Sequence, residues 1–138
     1  MKLGFTGSRK ISYNQCSRLY KLIKGMNIDV AIHGGCKGFD SCFHEVVKEL
    51  CNAKIFVHPG NQEQHDIFVK KNDCEVLPVK PYLERNKDIV NLSDEIIACP
   101  GTLKEILRSG TWATIRYAQK IGKKITIIFP DGSIEEDE

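Results

Sequence analysis

Short apolar runs that read as β-strands alternate with amphipathic helical stretches along almost the whole chain. This alternation limits the fold more than any other feature. Strand-like runs fall at residues 2–6, 29–33, 54–58, 74–79, 95–99 and 124–129. Helical patterns cover 12–26, 39–51, 83–92 and 111–121, while 61–71 reads as either helix or loop. Ser12 is a candidate N-cap, Pro81 stands just before a helix, and Gly122 is a stop signal. The runs 96–99 and 125–129 are nearly continuous apolar stretches, as in strands covered on both faces. The expected fold class is therefore α/β: a single Rossmann-like, doubly wound, mainly parallel sheet with helices on both faces, over residues 1–130. Residues 131–138 read as a flexible acidic tail. In such sheets ligands sit beyond the carboxyl ends of the strands, near the point where strand order reverses, so the residues that follow each strand carry the functional information.

A chain of 138 residues is long enough to bury a core of its own. The net charge of +2 is too small to argue for a nucleic-acid partner. No apolar run approaches membrane-spanning length and no signal peptide is visible, so no membrane partner and a cytoplasmic location are expected. Cys16, Cys36, Cys42, Cys51, Cys74 and Cys99 are scattered and form no CxxC pair, which favours reduced thiols over disulfides or structural zinc. The four histidines show no metal-ligand spacing, although His33 ends a strand beside a glycine loop, within reach of a ligand. The chain lacks GK[ST] and G-x-S-x-G, which disfavours a Walker-type ATPase and a serine hydrolase. No metal and no required cofactor are expected.

Four loops carry chemistry. Gly7-Ser8-Arg9 follows the first strand; a glycine there allows close approach, and a hydroxyl with a guanidinium suits phosphate. Gly34, Gly35 and Gly38 lie between the second strand and a helix, where backbone N–H groups form an anion-binding concavity. Asp40 has two readings, a contact to a ribose hydroxyl or an early-helix carboxylate favoured by the helix dipole. Glu84-Arg85-Asn86 sits on a helix that packs, so Arg85 can reach over a strand end toward phosphate. After the most apolar strand come Pro100, Gly101 and Thr102, and then Ser109-Gly110-Thr111, a phosphate seat or a simple helix cap. Trp112 reads as core rather than as a stacking platform.

Taken in order, GSR at 7–9, GGxxGxD at 34–40, ERN at 84–86, PGT at 100–102 and SGTWAT at 109–114 resemble the SLOG superfamily, which includes the Lonely Guy phosphoribohydrolases and the DNA-processing protein A Rossmann domain. The resemblance implies a Rossmann-like fold and a nucleotide or NAD- or ADP-ribose-derived ligand. Two branches diverge. Arg85-Asn86 with Arg108-Ser109-Gly110 looks like the DNA-processing branch, in which the loops line a phosphate-sized pocket. Gly101-Thr102 with Glu105 is similar to the end of the Lonely Guy PGGxGTxxE motif, which implies Glu105 and Arg85 as the catalytic pair of an N-glycosidic hydrolase. Two residues of that glycine loop are absent before Thr102, which displaces Glu105 from the family position. A helix running unbroken from Thr102 would bury Gly110 in its interior at about 1 kcal/mol; a helix starting at Ser109 would make 109–111 the seat, and Gly110 favours this.

The expected function is a sensor or binding module for a nucleotide, such as an ADP-ribose or cyclic-nucleotide derivative. The alternatives are a nucleoside-monophosphate phosphoribohydrolase and, on weaker grounds, a DNA-processing accessory protein; a dinucleotide reductase rests on fold alone. Related domains pair through helices, so a homodimer or higher homo-oligomer is compatible with the resemblance.

Overall fold

Six parallel strands and one antiparallel edge strand make a single sheet in the computed structural model, which describes residues 1–137. In chain order the elements are β1 (Lys2–Gly7), α1 (Tyr13–Lys24), β2 (Val30–His33), α2 (Phe39–Leu50), β3 (Lys54–Val57), α3 (Gln62–Lys71), β4 (Glu75–Val76), α4 (Tyr82–Leu92), β5 (Glu95–Cys99), α5 (Gly110–Lys120), β6 (Lys124–Ile128) and β7 (Ile134–Asp137). The spatial order is β4-β3-β2-β1-β5-β6-β7. The chain winds outward from β1 to β4 and then restarts at β5 on the other side of β1. Strand order therefore reverses between β1 and β5, and the two strands are in register from Leu3↔Glu95 to Gly7↔Cys99.

Each face buries its own core. Phe5, Leu19, Phe39, Phe43, Val47 and Phe68 pack with Ile97 and Cys99 beneath α1, α2 and α3. Phe5 and Phe43 stack with ring centroids 4.5 Å apart. On the opposite face Val90, Ile96, Trp112, Ile115 and Ile127 pack beneath α4 and α5. The α4 face needs Gly4 on β1, because a Cβ there would lie 2.2 Å from Ser93 Oγ and 2.7 Å from Ile96 Cδ1.

Local signals account for most helix starts. Ser12 caps α1 by accepting from the Gln15 N–H at 3.1 Å, and Asn61 caps α3 by accepting from the Gln64 N–H at 2.9 Å. The open reading of 61–71 is thus resolved as a helix. Gly122, at φ 72°, follows the C-cap of α5 as its composition implied. Pro81 stands at the N-cap of α4.

The acidic segment is corrected. Residues 134–137 are not a free tail but pair antiparallel with β6, from Ile128↔Ile134 to Ile125↔Asp137. Their side chains are mostly exposed, so backbone hydrogen bonding along the sheet edge holds them without apolar burial. A charged edge strand also discourages pairing with another sheet. Glu138 lies outside the described residues. Among the described residues no helix is long and apolar enough to cross a membrane.

Two loops beyond the strand ends are stitched together. The Ser8 N–H donates to Cys99 O at 3.0 Å and the Phe39 N–H donates to Ser8 O at 3.1 Å, so β1, β5 and the start of α2 are tied at one point. Gly38 makes this possible. It has φ 90°, and a Cβ on it would stand 2.4 Å from Arg9 O, a backbone atom that cannot turn aside. Gly38→Ala is expected to destabilise the protein by about 2 kcal/mol or more, measured as a lower urea midpoint at unchanged m-value.

Candidate functional site

The stitched loops open onto a cavity of about 350 Å³ at the carboxyl ends of β1, β2 and β5, where strand order reverses. Gly7, Ser8 and Arg9 line one side, Gly34, Cys36 and Asp40 a second, Arg85 and Asn86 a third, and Ser109, Gly110 and Thr111 the fourth. Thus 7–9, 34–40, 85–86 and 109–111, far apart in sequence, are brought together. Tyr82 completes the wall.

The fourth side is the start of α5. Ser109 is its N-cap, with its side chain accepting from the Trp112 N–H at 3.2 Å. The Gly110 and Thr111 N–H groups carry no intrachain hydrogen bond among the described residues. Two free N–H groups at a helix start face a cavity, the arrangement that favours an anion. Of the two pictures left open by the sequence, α5 starts at Gly110 and 102–108 is loop. A Cβ on Gly110 would meet nothing within 4 Å.

Arg85 is buried and spends its guanidinium on the frame. Its Nη1 donates to Gly34 O at 2.7 Å and to His58 O at 2.9 Å, and its Nε donates to Asn86 Oδ1 at 2.8 Å. Its Nη2 meets only the Cys36 sulfur, at 3.5 Å, among the described residues. The cation thus clamps the ends of β2 and β3 to α4 and turns one edge to the cavity. Arg9, exposed at the mouth, forms no ion pair among the described residues.

Several expected residues stand behind the wall instead. Gly35 and Gly38 shape the loop without lining the cavity. Pro100 O accepts from Gln15 Nε2 at 2.7 Å, and Gly101 packs against Ser8. Thr102 Oγ1 accepts from Trp112 Nε1 at 3.0 Å, which places Trp112 in the core with its N–H satisfied. The Ser8 hydroxyl donates to Lys10 O at 2.9 Å, leaving its oxygen only as an acceptor.

Two solved structures share this architecture. DNA processing protein A from Streptococcus pneumoniae superposes with a TM-score of 0.71 at 21% identity, covering 91% of this chain and 49% of that one. The structural-genomics protein TM1055 superposes with a TM-score of 0.62 at 15% identity, covering 90% of this chain and 71% of that one. The likeness shows a Rossmann-like α/β fold. The chain spans about half the length of the DNA processing protein A chain it matches. No family model matches it, and no curated protein matches it by sequence.

Within this frame the expected Glu105–Arg85 pair is not assembled. Glu105 sits in the exposed 102–108 loop, where its Oε2 accepts from Arg116 Nη1 at 2.7 Å, and it does not line the cavity. No residue of the 102–108 segment lines the cavity. The cavity's single carboxylate, among the described residues, is Asp40.

Burial pushes the Asp40 carboxyl up to about 6, against the opposing pull of the Cys36 N–H and the Arg85 charge. His33, expected within reach of a ligand, is fully buried behind the loop instead. Burial first, and the neighbouring His44, Arg85 and His58 next, hold His33 well below the usual imidazole range, so it is neutral. Because the Gly35 N–H donates to His33 Nδ1 at 3.0 Å, the His33 proton lies on Nε2 and is donated to His44 Nδ1 at 2.8 Å. His44 Nε2 then donates to Asp73 Oδ1 at 2.9 Å, and Lys48 pairs with Asp73 Oδ2 at 2.7 Å. Burial opposes ionisation of Asp73, but the hydrogen bonds from Lys48 and His44 prevail and hold it down to about 2.

Sequence spacing gave no hint of this chain of contacts. It also explains why the His44, Asp73 and Cys74 donor atoms, within 4.8 Å of one another, make a poor cation site: His44 Nε2 carries a proton and Lys48 already neutralises Asp73. Two further clefts, of about 360 and 390 Å³ and both lined by Leu77 and Leu92, touch no glycine loop.

A raised folded-state value means that Asp40 binds more protons folded than unfolded between about pH 4 and 6, so its contribution to stability falls as pH rises through that window. The ionised carboxylate then costs the folded protein on the order of 2–3 kcal/mol at neutral pH. Asp40→Asn is expected to raise Tm at pH 8 by about 3–8 °C and to flatten the difference in Tm between pH 5 and pH 8, measured by differential scanning fluorimetry.

Proposed function

We propose that the protein binds a nucleotide or an ADP-ribose-like phosphate ester in this cavity, as a binding or sensing module that does not turn its ligand over. The observation that carries the reading is the pair of unpartnered N–H groups of Gly110 and Thr111, opening onto a cavity that also receives the edges of Arg85 and Arg9. Helix N-termini and guanidinium groups both favour phosphate oxygens. A volume of about 350 Å³ lies within the ordinary range of small-molecule pockets, roughly 300–1,000 Å³. The absence of Glu105 from the cavity lining supports binding over hydrolysis by a Glu105–Arg85 pair, because the carboxylate that route needs is held outside by Arg116.

The name of the solved DNA processing protein A favours a second reading, in which the cavity serves a protein that also meets DNA. Against it stand 20 basic and 18 acidic side chains, a balance that gives no strong basic surface. DNA binding whose affinity falls steeply with salt would favour this reading over the first.

The test uses AMP, ADP-ribose and inorganic pyrophosphate. At a hundredfold excess over Kd, binding stabilises the folded state by about 2.7 kcal/mol, seen as a rise in Tm. Gly110→Asp places a competing carboxylate at the start of α5 in open space, so it is expected to fold normally and to bind at least about tenfold more weakly. No rise in Tm with any of the three compounds contradicts the reading, and free adenine released from AMP replaces binding with hydrolysis.

A further inference from the structure

Asp40 is only 3% exposed and lines the cavity. Its Oδ2 accepts from the Cys36 N–H at 3.0 Å, while its Oδ1 forms no well-aligned hydrogen bond, its nearest polar neighbours being the Gly34 N–H and the Cys36 thiol. Buried carboxylate oxygens are ordinarily satisfied, because leaving one without a donor is unfavourable. Closing the 36–40 turn does not require this carboxylate, since the amide oxygen of an asparagine would accept from Cys36 equally well. The second oxygen is thus an acceptor only weakly served by the protein, and a ligand that brings donors at the cavity wall completes it.

Charge decides which end of a ligand comes here. A phosphate is repelled by the carboxylate and attracted to the start of α5. The two walls stand on different helices, α2 and α5, which pack on opposite faces of the sheet, with β1 between β2 and β5. An ammonium group is disfavoured at Asp40 by the buried Arg85 guanidinium, whose Nη2 contacts the same Cys36. Neutral hydroxyl donors remain.

We infer that Asp40 accepts hydrogen bonds from the sugar hydroxyls of a phosphorylated ribose, so that the site selects ribose over deoxyribose phosphates. This rests on the anion seat at Gly110 and Thr111 and adds the chemistry of the opposite wall. The carboxylate is the form that accepts two hydroxyls, so selection weakens as Asp40 becomes protonated near pH 6.

Isothermal titration with ribose 5-phosphate, 2-deoxyribose 5-phosphate and inorganic pyrophosphate tests the inference on the full chain. The wild type is expected to bind ribose 5-phosphate about tenfold more tightly than the 2-deoxy compound at pH 8. Asp40→Asn is expected to bring that ratio below about twofold, and lowering the pH to 5 is expected to shrink it in the wild type. A merely structural role for Asp40 would change both affinities together and leave the ratio intact, so an intact ratio in Asp40→Asn overturns the inference. Equal binding of the two sugars by the wild type, with pyrophosphate still bound, overturns it and leaves the anion seat standing. Failure of pyrophosphate and both sugars to bind at millimolar concentration removes the seat and the inference together.

Discussion

A buried guanidinium holds the site together. Arg85 donates to the carbonyls of Gly34 and His58, so the ends of β2 and β3 and the body of α4 share one cation. Hydrogen bonds to a charged group contribute roughly twice what neutral ones do, and removing the donor would leave two buried carbonyls unpaired. The glycine loop after β2 is thereby fixed from below by Arg85 and from the side by Phe39 and Ser8. The loop's N–H groups at Gly35 and Cys36 are taken up by His33 and Asp40, so the loop supplies a fixed shape rather than free donors.

The charges around this clamp are arranged unequally. Arg85 has no carboxylate within salt-bridge distance among the described residues, and Asp40, the one acid of the cavity, is held in a setting that resists ionisation. A fold optimised only for stability would place an amide or hydroxyl at residue 40. The ribose contact proposed above would account for a carboxylate at this position. Behind the loop the His33–His44–Asp73 chain gives the Gly35 N–H an acceptor whose tautomer is fixed by the partners that follow it, which stiffens the loop from its inner side.

The fold was legible because its signals are local. The six parallel strands, the Ser12 cap and the stop at Gly122 all follow from short patterns. The edge strand β7 was not, because Glu135, Glu136 and Asp137 have no apolar face and pair through their backbone alone. The site was half legible. Glycines after strands and a Ser-Gly-Thr helix start point to the cavity from sequence. Glu105 did not follow, since its position depends on the path of an exposed loop rather than on spacing. Arg85 was found as a residue but not in its role: its inward turn depends on a carbonyl 51 residues away, at Gly34. The His33, His44 and Asp73 contacts, 11 and 29 residues apart, carry no periodic signal at all.

The central claim is that the start of α5 seats an anion. Amide shift mapping by NMR during titration with inorganic pyrophosphate tests it most directly. The account predicts that the Gly110 and Thr111 amides move most, with smaller changes at Gly34 and Arg9 and little change in 103–107. Shifts confined to the clefts beside Leu77 and Leu92, or none at saturating pyrophosphate, would contradict it.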